Sequence, residues 1–367
     1  MILIFMFSLV ILYALFIGMF ISGFQKNSFE LSLSIPFITI IVAVRNGGEW
    51  IEKCVNALLA QTYPVDKREI IIIDDGSSDS TLALLKTYSS LTRPDHITIT
   101  TRPPSSGNKK LALELGINQA RGDILLFTDA DCVPPPSWAE TIVSCFSKTT
   151  GMVVGFSPLI HKYNSFIGHL IKIDSLFATL FAGAGIGLNI PLTAAGRNIA
   201  WRRSLFSQVE GYKSISKSLS GDDDLFMQLV HKQTNLKIRY SRIPKSVVPS
   251  YHRMSLQDFL HQKSRHISAA KFYPRSRQII YGVFHLLNFG LHGLAIAALV
   301  LGKDTAPIFT LLALTHMIDW LFLRIGVKKF NMSFKSIHFL GWEWLFLFYN
   351  VISGIKGIFR PVRWQRH

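Results

Sequence analysis

Cysteine is scarce, with three among 367 residues, and Cys54, Cys132 and Cys145 form neither a CxxC pair nor the spacing of a zinc module. An odd, dispersed set excludes a disulfide framework, so the thiols are expected to be reduced in the core of a protein facing a reducing compartment. No G-x-G-x-x-G follows an early apolar run, which excludes a dinucleotide fingerprint. Internal repeats and low-complexity tracts are also lacking, which removes solenoids and disordered arrays from consideration. Acids are few: 23 Asp and Glu stand against 39 Lys and Arg, a net charge of +16. Residues 1–25 carry no charge at all.

What is present is apolar residue in excess, 49% of the chain with a mean hydropathy of +0.30, and it gathers at the two ends. Besides 1–25, the stretches 278–302, 305–323 (with Asp319) and 337–355 (with Glu343) are strongly apolar. A membrane span needs about 20 such residues, so 1–25 and 278–302 are the best candidates. A cleaved signal peptide is the rival reading of 1–25. The missing basic residue before the run, its length, and the lack of a small-residue cleavage site favour a retained anchor.

Basic residues sit beside these stretches. Eleven Lys/Arg and one acid, Asp258, lie between 231 and 277, and eight Lys/Arg with one acid, Glu343, lie from 324 onwards. Basic flanks mark the cytoplasmic side of a span and attract anionic lipid. Nucleic acid would also suit a pI near 9.8, but no zinc-finger or helix-turn-helix pattern supports it. The expectation is a multi-pass integral membrane protein: an anchor at 1–25, a cytoplasmic domain at 35–250, a basic interfacial region at 251–277, membrane segments at 278–359, and a basic cytoplasmic tail at 360–367. Residues 303–304 would form the turn between two spans. Lys328, Lys329 and Lys335 then share the inner face with Lys356, Arg360, Arg363 and Arg366, so 337–355 is expected to lie in the interface or to re-enter.

The middle of the chain reads as an ordinary globular protein. Continuous apolar runs at 36–44, 69–73, 96–100 and 124–127 alternate with helical spacing at 49–61, 81–88 and 109–119. Strands without polar alternation belong to a mostly parallel sheet covered on both faces, an α/β fold. Ligands bind such sheets beyond the carboxyl ends of the strands. Arg45-Asn46, Asp74-Asp75 and Asp129-Ala130-Asp131 all fall at such ends. The small-residue stretch 183–196 is expected to be a loop near the site, or else a helix docked on the membrane surface.

Paired carboxylates two residues apart at a strand end suit a hard divalent cation, Mg²⁺ or Mn²⁺, though a solvated acidic turn has the same sequence. The run from Asp74 to Thr81 suits a nucleotide's hydroxyls or base, and equally an Asx turn with Asp79 or Ser80 capping the next helix. Three adjacent acids, Asp222-Asp223-Asp224, repel one another, so one can titrate high enough to serve as a general base. They could instead only decorate a helix N-terminus. Gln262-Lys263-Ser264-Arg265-His266, with Leu256, Phe259 and Leu260, reads as a basic interfacial helix.

The ordered blocks ITIIVAVRNG, IIIDDGSSDST, NKKLALELGINQARGDILLFTDADCVPPPSW, AAGRNIAWRRSLFSQVEGY and SGDDDLFMQL resemble glycosyltransferase family 2, over residues 36–229. The resemblance implies the GT-A nucleotide-diphospho-sugar fold, with N- and C-terminal transmembrane helices added. It implies that Arg45, Asn46, Asp74 and Asp75 hold the nucleoside, that Lys109 and Lys110 lie near the donor, and that Asp131 with Asp129 binds the metal at the diphosphate. It places the base in the acidic block, Asp222 first and Asp223 second. Arg197 and Asn198 fall to the acceptor or diphosphate. So do Gln262, Arg265 and His266, which resemble the Q-x-x-R-W motif of membrane-bound members such as ceramide glucosyltransferases and polysaccharide synthases. His266 stands where that motif has Trp. The implied reaction is an inverting transfer from a nucleotide sugar, uridine by resemblance, to a lipid or lipid-linked acceptor. The rivals are a processive polysaccharide synthase and a non-catalytic membrane scaffold that retains the fold.

Overall fold

The computed structural model describes residues 2–91, 97–103, 109–161, 163, 165–218, 220–252, 255–302 and 305–359. The expected turn at 303–304 and the tail at 360–367 lie outside them. The elements run α1 (Ile2–Gln25), β1 (Ile38–Val44), α2 (Ile51–Leu59), β2 (Arg68–Asp74), α3 (Thr81–Leu91), β3 (Ile97–Thr101), α4 (Lys109–Gln119) and β4 (Ile124–Asp129). Then follow α5 (Trp138–Ser144), β5 (Thr150–Val154), β6 (Leu159–His161), α6 (Phe166–Gly187), β7 (Ile199–Arg202), α7 (Ser204–Gln208), α8 (Asp224–Gln233), β8 (Lys237–Tyr240) and β9 (Ser250–His252). The last four helices are α9 (Leu256–Ala269), α10 (Arg275–Val300), α11 (Thr305–Phe330) and α12 (Ser336–Phe359).

Seven strands form one sheet in the order β3-β2-β1-β4-β7-β5-β8, and β6 pairs with β9 in a second, two-stranded sheet. β3, β2, β1 and β4 are parallel, so the carboxyl ends of β1, β2 and β4 point the same way. β7 reverses direction against both β4 and β5. β1 and β2 are almost wholly buried, which is why their sequences show no alternation. Apolar clusters cover both faces. One holds Val55, Leu58, Trp138 and Ile142, and the other holds Ile41, Leu113, Phe127 and Trp201 together with the terminal helices.

Four helices, α1, α6, α10 and α11, are long and apolar enough to cross a membrane. α1 buries Met6, Val10, Tyr13, Ile17, Phe20 and Phe24, a stripe at three- and four-residue steps. Its other side leaves Ile4, Phe5, Phe7, Leu12 and Leu15 exposed, a surface suited to lipid. α1 crosses α6 so closely that a Cβ added at Gly187 would lie 1.9 Å from the Gly23 carbonyl oxygen. Asn27 Nδ2 donates to the Gly183 carbonyl at 2.7 Å beside this crossing.

Two expectations need correction. Residues 183–187 are the buried end of α6, and only the residues after them form a loop. Residues 337–355 belong to α12, a continuous helix with no chain reversal, so re-entry does not occur there.

Candidate active site

Each early strand delivers its motif at a turn. After β1, Asn46 adopts φ 52°, its N–H donates to Ser77 Oγ at 2.9 Å, and its Oδ1 accepts from the Ser78 N–H at 2.9 Å. Asp79 accepts from the N–H groups of Gly48 and Thr81, both at 3.0 Å, and so caps the start of α3. The run from Asp74 to Thr81 is therefore partly structural. Asp75 opens into a small recess of about 30 Å³ with Val44, Arg45, Lys109 and Asp129, and pairs with Arg102 at 2.5 Å. Asp74 lines neither this recess nor the larger cavity. Its Oδ2 accepts from the Ser77 N–H at 3.3 Å, and its Oδ1 is buried without a partner among the described residues.

The recess adjoins a cavity of about 450 Å³ whose walls include Asn46, Lys109, Asp129, Asp131, Arg197 and Asp222. Lys109 stands at the junction, 2.6 Å from Asp129 Oδ1 and 3.6 Å from Asp222 Oδ2. Burial alone would lower its pKa, but the two carboxylates outweigh this and hold it above the ordinary lysine value. Asp131 Oδ1 accepts from Ser250 Oγ at 3.2 Å, and the Asp131 carbonyl accepts from the Tyr251 N–H at 2.8 Å. β9 thus fixes the second carboxylate of the pair. Two hard oxygen donors at a strand end that opens on a polar cavity fit Mg²⁺ or Mn²⁺, which complete their shells with phosphate oxygens and water.

The acidic block divides its tasks. Gly221 takes φ 88°, a conformation that L-residues avoid, and turns the chain so that Asp222 faces the cavity. Among the described residues no backbone N–H donates to the Asp222 carboxylate, whose partner is Lys109. Asp223 is the N-cap of α8: Oδ1 accepts from the Asp224 N–H at 2.7 Å and Oδ2 from the Gly196 N–H at 2.8 Å. Asp224 accepts from the Leu225 N–H at 2.7 Å and from the Tyr273 hydroxyl. Burial first, then the charge of Asp223, pushes Asp224 up to about 8. Burial and Asp222 also raise Asp223.

α9 forms another wall. Ser255 and Asp258 make a reciprocal capping box at its start. One face then brings Gln262, Arg265 and His266 to the cavity that Arg197 also lines. Burial, reinforced by Arg265, Lys263 and Arg197, drives the His266 pKa well below its usual value, so the imidazole is neutral. Lys263 faces away and pairs with Asp174 of α6, which also accepts from the Tyr349 hydroxyl of α12 at 2.5 Å. One buried knot thereby ties the site helix to two others.

Besides Asp74, two expected site residues lie elsewhere. Lys110 donates to the carbonyls of Ile215, Ser218 and Ser220 at 2.9, 2.5 and 2.9 Å, and holds the loop before the acidic block rather than a donor. Asn198 is fully buried: its Oδ1 accepts from Trp138 Nε1 at 2.9 Å, and its Nδ2 donates to the carbonyls of Phe156 and Ser246, both at 2.8 Å. The sequence reading also missed cavity residues. Trp50 and Tyr251 stack at 6.2 Å between ring centroids, and His252 and His261 stand nearby. Only the proximity of Trp50 to the Arg45-Asn46 turn hinted at this; the others depend on β9 and α9 folding back.

A parallel sheet of order 3-2-1-4, extended by an antiparallel strand and carrying an acidic pair beyond β4, defines the GT-A nucleotide-diphospho-sugar transferase fold. Residues 39–209 form a glycosyl transferase family 2 domain, as the match to that family's profile shows. The chain is 38% identical over 125 residues to glycosyltransferase AglE of Haloferax volcanii, a stretch covering 34% of this chain and 40% of that one. It is 27% identical over 214 residues to the probable glycosyltransferase YdaM of Bacillus subtilis, 57% of this chain and 49% of that one. The chain thus spans less than half the length of these relatives. The solved structure of the mannosyltransferase PcManGT from Pyrobaculum calidifontis, in complex with GDP-Man and Mn²⁺, superposes with a TM-score of 0.63 over 98% of each chain. At 17% identity the likeness is one of fold.

Proposed function

We propose that this protein transfers a sugar, with inversion, from a nucleoside diphosphate sugar to a lipid or lipid-linked acceptor at the cytoplasmic face of a membrane. The observation that carries this reading is the single cavity shared by Asp129, Asp131, Asp222, Arg197 and Arg265, beside helices apolar enough to enter lipid. The nucleoside lies toward the recess at Arg45 and Asp75. A divalent cation held by Asp131 and Asp129 would neutralise charge on the diphosphate. Arg197 and Arg265 add hydrogen-bonding cations to the same cavity. Asp222 accepts the proton of the acceptor hydroxyl as its oxygen attacks the anomeric carbon opposite the departing diphosphate. Neutral His266 orients by hydrogen bonding and adds no charge. Trp50 and Tyr251 offer an aromatic platform for a sugar ring, in place of the indole absent at position 266. Lys328 and Lys329 in the last turn of α11, with Lys335 just beyond it, support a cytoplasmic site, where nucleotide sugars reside.

The test is a donor screen on the purified full-length chain, with UDP- and GDP-sugars, membrane lipid extract, and chelator as control. Nucleoside diphosphate release that needs both lipid extract and Mg²⁺ or Mn²⁺, and that is lost in Asp131→Ala, is the expected result. Undiminished release in Asp131→Ala would overturn the site assignment. A product ladder of many sugars would favour a processive synthase instead. That reading has one point in its favour: 33% identity over 139 residues to the poly-beta-1,6-N-acetyl-D-glucosamine synthase of Staphylococcus aureus, of which 32% is covered.

A further inference from the structure

Far from the acidic pair along the sequence, three helices bring together a second set of ligand-type side chains. His292 of α10, His316 of α11 and Glu343 of α12 place one ring nitrogen or carboxylate oxygen each within 4.8 Å of the others. His292 and Glu343 are buried, and the His316 side chain is 17% exposed. The two imidazoles lie 5.3 Å apart between centroids. Ionisable groups in an apolar helical bundle are costly and need a reason to be there.

Hydrogen bonding among them does not supply that reason. Among the described residues, His316 Nδ1 lies 3.3 Å from Glu343 Oε2 yet makes no hydrogen bond, and Glu343 Oε1 and His292 Nε2 are buried without any partner. The His292 ring is already oriented, because its Nδ1 faces the Asn288 carbonyl at 2.8 Å. A carbonyl can only accept, so Nδ1 carries the proton and Nε2 presents a lone pair. That is the arrangement by which metal-bound histidines are fixed in proteins.

We propose that His292, His316 and Glu343 form a zinc-type metal site that staples α10, α11 and α12 together. Two imidazoles and one carboxylate are a borderline-soft set, unlike the all-oxygen set at Asp129 and Asp131, so the two sites select different ions. Tetrahedral zinc bonds of about 2.0–2.1 Å set ligand atoms about 3.3 Å apart, the separation found between His316 and Glu343. Rotamer adjustments bring in His292. Asp319 lies three residues after His316 on the same face of α11 and accepts from the Tyr13 hydroxyl at 2.6 Å. Together with Glu343 it balances a 2+ ion within the bundle. The partly exposed His316 marks the side from which the ion enters.

The experiment uses the full-length chain, purified in detergent without a polyhistidine tag and carrying Asp131→Ala to disable the hard-cation site. After chelator and dialysis, Zn²⁺ is added and the retained metal is counted by mass spectrometry. Co²⁺ is titrated in parallel and followed by visible absorption. About one Zn²⁺ per chain, tetrahedral Co²⁺ bands that saturate at one equivalent, and a metal-dependent rise in melting temperature are expected. His292→Gln and His316→Gln should each weaken retention at least tenfold and abolish the bands. The same two substitutions in the otherwise native chain should leave transferase turnover measurable, which establishes that they fold. Absence of saturable Co²⁺ bands in the Asp131→Ala chain itself overturns the proposal without recourse to any bundle variant. So does Zn²⁺ retention unchanged in the two histidine variants.

Discussion

The acidic block allows a sharp separation of chemistry from architecture, because adjacent carboxylates have different partners. In Asp222→Asn the volume and the turn at Gly221 persist, but the group facing the cavity can no longer take a proton. Loss of a positioned general base costs 10²–10⁴-fold in rate, about 3–5 kcal/mol of barrier. The effect should fall on kcat and leave donor KM nearly unchanged. In Asp223→Asn the loss is structural. The two oxygens of Asp223 accept from the Asp224 and Gly196 N–H groups at 2.7 and 2.8 Å, and an amide can keep only one of these bonds. Leaving a buried N–H unsatisfied costs about 1–3 kcal/mol, which at about 2–4 °C per kcal/mol for a domain of this size lowers the melting temperature by several degrees. Nucleoside diphosphate release and thermal unfolding, measured on the same preparations, resolve the two cases. If Asp223→Asn loses turnover at native stability while Asp222→Asn retains it, the base is Asp223 and the assignment fails.

Three further outcomes follow from the geometry. Asn198→Ala orphans the Trp138 N–H and the Ser246 carbonyl, while the Phe156 carbonyl keeps the Val248 N–H at 3.0 Å, so it should lower unfolding stability by about 2–4 kcal/mol with donor KM preserved at permissive temperature; a shifted KM would return Asn198 to the binding site. Lys110→Met releases the carbonyls of Ile215, Ser218 and Ser220 and should reduce kcat about tenfold through misplacement of Asp222, a positioning effect checked by partial recovery in Lys110→Arg. Asp224 titrates near 8 in the fold and near 4 when unfolded, so the folded state favours its protonated form. That stabilisation is complete below about pH 4 and is lost as pH rises to about 8. Melting temperature should therefore fall between pH 5 and 8 in the native chain and flatten in Asp224→Asn; parallel profiles would exclude Asp224 as the source.

The sequence made the sheet's parallel half plain, since continuous β-branched runs ending in Asn, Asp and Gly permit little else; α4 was expected at 109–119 and occupies those residues. The carboxylates at strand ends were legible for the same reason. α6 was not, because His169, Lys172 and Asp174 interrupt its apolar run. Asp174 is tolerated there only through Lys263 and Tyr349, from helices far along the chain. Lys110 and Asn198 were misplaced because motif position indicates nearness to a ligand but not the direction of a side chain. β5, β7 and β8 are short, and their pairing, including the reversal at β7, depends on tertiary closure rather than on local pattern.

The meeting of α1 with α6 at Gly23 and Gly187 has a practical side. A leash that merely tethers an enzyme to a bilayer can be cut off or exchanged for another greasy segment. Here the main chains touch, and six large side chains of α1 interlock with the helices behind the sheet. Trimming the first 25 residues to obtain a water-soluble fragment would strip away part of the interior, and a borrowed anchor lacking glycine at position 23 could not seat.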